Sequence, residues 1–92
     1  MFRLDELAIV CALRDSYRIL ICNAHDVHLQ SLLTRHEWII ISPYDGGPCE
    51  ILHRHSGQDP FHHQQGKYDS LLSAIEYIRG HDQWYSEKRS KF

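Results

Sequence analysis

The sequence predicts a small α+β domain, an antiparallel sheet of two hairpins with helices on one face. Three observations carry this. The chain has 92 residues, one domain near the lower size limit for folding on a single core. Two apolar, β-branched stretches each flank a turn signal, Asp15-Ser16 in the first and Asp45-Gly46-Gly47-Pro48 in the second. A segment near the C-terminus carries apolar residues at helical spacing. The expected element order is ββαββα, with residues 1–86 as the domain and 87–92 as a frayed basic tail.

The first stretch, LAIVCALRDSYRILICNA, makes a hairpin if Asp15 and Ser16 are its loop. Leu7, Ile9, Cys11, Leu20 and Cys22 then share one face. A second reading makes the first run helical, because Leu4, Leu7, Ala8 and Cys11 form a stripe with Asp5 and Glu6 in its first turn. That reading gives the order αβαββα. The next segment, HDVHLQSLLTRH, reads as a short helix capped by Asp26, with Leu29, Leu32 and Leu33 as its apolar stripe and His36 as a cation at its end.

EWIIISPYDGGPCEILH is the clearest hairpin. Trp38 and Ile39 to Ile41 favour strand, and the glycines can take positive φ in the turn. Ile39 and Ile41 are the expected core positions. SGQDPFHHQQG reads as a loop, long for so small a domain, and loops of that kind are commonly functional. In YDSLLSAIEYIRG, Tyr68, Leu71, Leu72, Ile75 and Ile78 fall on one helical face, and Gly80 is a stop signal, with a helix that runs past it as the alternative. Leu72, Ile75 and Ile78 complete the predicted core.

Composition narrows function. Net charge is −2, without the basic excess of a strongly electrostatic nucleic-acid binder. The three cysteines form no CxxC pair, the N-terminus lacks the positive region of a signal peptide, and no segment is long enough to span a bilayer. A soluble cytoplasmic protein with reduced thiols and no membrane contact is expected.

Four histidines gather in HRHSGQDPFHHQQGK. His53 and His55 would project to one side of a strand, so they are the candidate metal ligands. The spacing matches no structural zinc pattern, and no metal or cofactor is assigned. His53, Arg54, His55, His63 and Lys67 would be the acid, base and phosphate-binding groups of a small ribonuclease, but no catalytic motif accompanies them.

The first-ranked function is therefore non-enzymatic binding to a macromolecular partner, a protein, by a regulator or inhibitor that occludes the partner's site. Tyr44, His55, Phe61, His62, His63 and Trp84 are its expected contact residues. Small phage or plasmid proteins that block a host complex, anti-CRISPR proteins among them, are similar in size and in lacking a signature. The alternative is single-stranded nucleic-acid binding through exposed aromatics.

Overall fold

The computed structural model describes residues 1–42, 48–63 and 68–90, with the side chains of residues 63, 89 and 90 excepted. A short helix, α1 (Leu4–Cys11), precedes five strands, β1 (Tyr17–Cys22), β2 (Asp26–Ser31), β3 (Glu37–Ile41), β4 (Glu50–Arg54) and β5 (His62–His63). The chain closes with a long helix, α2 (Leu71–Ser90). The strands form one antiparallel sheet in sequence order, β1-β2-β3-β4-β5. The α+β class read from the sequence is the class observed.

Two elements inside that class differ from the first reading. Residues 4–11 are helical, the second of the two readings weighed. Glu6 explains much of it. Its carboxylate accepts the Arg3 backbone N–H at 3.0 Å and the Leu71 backbone N–H at 3.0 Å, so one side chain caps the starts of both helices. Residues 26–31 are a strand, not a helix. Asp26 does not cap a helix; the Asn23 side-chain Oδ1 accepts the backbone N–H of His25 and Asp26, at 2.9 and 2.8 Å, and turns the chain into β2. The period-two burial of Val27, Leu29 and Ser31 then outweighs the helical spacing of Leu29, Leu32 and Leu33. Leu32 and Leu33 lie in the following turn and are exposed.

The core is a single cluster between the helices and one face of the sheet. It contains Phe2 and Val10 from the N-terminal segment, Val27, Leu29, Trp38, Ile40 and Ile51 from the strands, and Leu71, Ala74, Ile75 and Ile78 from α2. Ile75 and Ile78 are buried as expected. Ile9, Cys11, Leu20, Cys22 and Leu72 are exposed, and Leu7, Ile39 and Ile41 are only half-buried. In β3 the parity is inverted, because Trp38 takes the helix-facing side and brings Ile40 with it. Leu20 and Cys22 lie on β1, which stands at the sheet's edge.

The hairpin of β3 and β4 is observed, paired from Glu37–Arg54 to Ile41–Glu50. Its turn lies outside the described residues. The loop that follows adds a two-residue strand, pairing Leu52 with His63 and His53 with His62. Helix α2 runs ten residues past Gly80, where an added Cβ would meet nothing within 4 Å. No helix among the described residues is long and apolar enough to cross a membrane.

Candidate functional site

The pairing register decides which side chains meet. On the helix-facing side, Leu29, Trp38, His53 and His62 form one row across β2 to β5. Because Glu37 pairs with Arg54, His36 and His55 stand opposite each other one residue further out. Both share the side of their strands that carries Trp38 and His53. Their rings stack, with centroids 4.1 Å apart and planes within 9°.

The turn from β2 to β3 delivers His36. Ser31 Oγ accepts the backbone N–H of Leu33 and Thr34, each at 3.2 Å. Arg35 takes a φ of 66°, a left-handed conformation uncommon for a bulky side chain. The chain then re-enters the sheet, with Ser31 N–H donating to the His36 carbonyl at 2.9 Å. Strain held next to a functional position is a recurring pattern.

Helix α2 is locked over this end by Asp82. Its carboxylate is buried and accepts two hydroxyls, Tyr17 at 2.6 Å and Thr34 at 3.1 Å. Burial, with the bond to Asp82 second, raises the Tyr17 phenol above its ordinary range and keeps it a donor. This link sets the rotation of α2 and places His81 and Tyr85 above the sheet histidines. The His81 ring lies 5.0 Å from His53 and 5.1 Å from Trp38. Tyr85 meets His36 edge-on at 4.5 Å.

His53 is the centre. It is 6% exposed, stacks on Trp38 at 3.8 Å, and its Nε2 lies 3.0 Å from His36 Nδ1. Burial, reinforced by His36, His81, His55 and His62, holds it down to about 3. It is a neutral ring at physiological pH. Burial also lowers His81, against a smaller opposing effect of Asp82. The His81 Nδ1 atom is buried and finds no hydrogen-bond partner among the described residues, an arrangement that costs free energy.

Two sets of donors can converge on one ion: His36, His53 and His55, or His36, His81 and Asp82, with the ligand atoms of each set within 4.8 Å of one another. Beside them opens a cleft of about 370 Å³, lined by His53, Arg54, His55, Asp59, Pro60 and His62. A larger cleft, about 480 Å³, lies between α2 and the start of β1, and its floor includes Tyr17 and Asp82, which satisfy each other.

The sequence-predicted residues fall around this end unevenly. His55 and His62 are exposed at the cleft. Trp84 is 55% exposed, with its ring 6.0 Å from His81 and the Lys88 ammonium 4.8 Å above it. Phe61 is half-buried under the Arg54 guanidinium at 4.2 Å, and Arg54 is fixed by two bonds to Glu37, at 2.9 and 3.1 Å. His63 has its backbone in β5, and Tyr44 and Lys67 lie outside the described residues. His53 lies on a strand as expected, and the β4 register turns it under α2. His36 is not a helix-end cation but a buried member of the cluster. His36, His81 and Asp82 are the members that sequence reasoning missed. The alternation His36-Trp38-Ile40 against Ile51-His53-His55 carries the signal for the first of them. The comparisons with known proteins found no match, whether among family models, curated proteins or solved structures.

Proposed function

We propose that the chain is a small non-enzymatic binding module that engages a protein partner through its histidine-aromatic end and acts by occluding the partner's site. The observation that supports this reading most is the exposure of Trp84, its ring 6.0 Å from His81, together with that of His55 and His62 at the cleft. Tryptophan is among the residues most enriched at interface hot spots. His53, Trp38 and the Asp82 link hold the surface in place, so little ordering cost attends binding.

The test is capture from the native host's lysate, with and without nuclease, read by mass spectrometry. A stoichiometric protein partner that survives nuclease is the expected result. Capture that vanishes with nuclease, with affinity falling steeply as salt rises, would replace this reading with nucleic-acid binding.

A further inference from the structure

We propose that His36, His53 and His55 form a binding site for a divalent transition metal of the zinc class, one ion per chain. Three structural facts converge on it. The ligand nitrogens lie within 4.8 Å of one another. The closest pair, His53 Nε2 and His36 Nδ1, is 3.0 Å apart. Two nitrogens on one tetrahedral zinc stand about 3.3 Å apart, given bond lengths near 2.0–2.1 Å, so that pair needs to open by only a few tenths of an ångström, while the exposed His55 ring, stacked on His36 at 4.1 Å, must turn to bring a nitrogen lone pair to the ion. The donors also come from rigid places, one at the entry to β3 and two at the end of β4, with Trp38 stacked beneath His53.

The choice between the two donor sets follows from Asp82. Both its oxygens already accept hydroxyls from Tyr17 and Thr34, and taking one for a metal would unlock α2. Of the three sheet histidines, His36 and His53 bond to each other, and the ion would take the place of that contact. His81 lies beside the site, its ring 5.0 Å from His53 and its buried Nδ1 without a hydrogen-bond partner among the described residues. Imidazole donors suit zinc, cobalt, nickel and copper, and three of them leave one position for His81, water or a partner's side chain. Exposed His55, at the cleft, gives the ion a route in.

The experiment uses the full chain without a histidine tag, treated with chelator and then titrated with Zn²⁺ by calorimetry and with Co²⁺ by visible absorbance. Stoichiometric binding of one ion is expected. His55→Ala, at an exposed position, should weaken zinc affinity at least about tenfold while the melting temperature of the chelated protein stays unchanged. His28→Ala, at a half-buried position on the opposite face of the sheet, should bind as the native chain does. No binding, binding untouched by His55→Ala, or binding lost in His28→Ala would each overturn the site. The titration contains no partner, so its failure leaves the partner-binding reading standing, and capture in the presence of chelator tests that reading alone.

Discussion

Trp38→Ala should remove about 3–5 kcal/mol of unfolding free energy, the usual cost of deleting a large aromatic from a packed core. Single domains have about 5–15 kcal/mol in total, so this change should leave the chain marginal at 37 °C. Trp38 is fully buried, the largest of the fully buried side chains. It sits between Leu29 and His53 in the sheet row, and Tyr77 and His81 meet it edge-on from α2 at 6.3 and 5.1 Å. Its loss opens a cavity that touches the sheet, the helix and the floor of the histidine cluster at once. Trp38→Phe keeps most of the packing and removes an indole N–H that finds no acceptor among the described residues. Its cost should be smaller, about 1–2 kcal/mol. Urea unfolding followed by far-ultraviolet circular dichroism measures both. A loss under about 1 kcal/mol for Trp38→Ala would show that the ring is not the keystone of this core.

The chelated protein should also lose stability steeply in mild acid. His53 titrates near 6.5 when unfolded and near 3 in the native state. The unfolded chain therefore takes up a proton that the native state refuses. The contribution is complete above pH 6.5 and is lost as pH falls from there toward 3, at up to about 1.4 kcal/mol per pH unit. His81, also lowered, acts in the same sense. The groups facing His53 are His36, His55, His62 and His81, with Asp82 and Tyr85 on the same helix as His81. Asp82 is already bonded to two hydroxyls. Urea midpoints should fall steadily from pH 6.5 to pH 4.5, and His53→Gln should flatten the slope. A midpoint constant over that range would contradict a buried neutral His53.

Much of the fold is legible in the sequence because some signals are local. The Trp38–Ile41 strand, the return strand and the helix through Ile75 and Ile78 all announce themselves within a few residues. The first element is ambiguous for a physical reason. Leu7, Ile9 and Cys11 fit a strand face as well as Leu4, Leu7 and Cys11 fit a helix stripe, and the deciding interaction is Glu6 with Leu71, 65 residues away. Parity in β3 is hidden because three consecutive isoleucines carry no alternation. Only Trp38, which must bury its large ring, breaks the tie.

The site is less legible than the fold. His53 and His55 are visible as a strand-end pair, and their exposed neighbours His62 and Trp84 are visible as contact candidates. His36 belongs with them only once the hairpin register is known, and the helical reading of residues 26–36 conceals it. His81 and Asp82 lie beyond Gly80, a residue that reads as a helix stop. The helix continues because Asp82 gains two buried hydrogen bonds and Tyr85 packs on His36. Tertiary contacts override the local signal there.

The central claim is that the histidine-aromatic end is the working surface. The most direct measurement is the affinity of the captured partner for the native chain and for a His62→Ala/Trp84→Ala double variant, with melting temperatures recorded alongside. Both residues are exposed, so the variant should melt with the native chain and bind at least about a hundredfold more weakly, the loss of one strong contact and one supporting one. Unchanged affinity in a variant that melts normally would place the working surface elsewhere on the molecule.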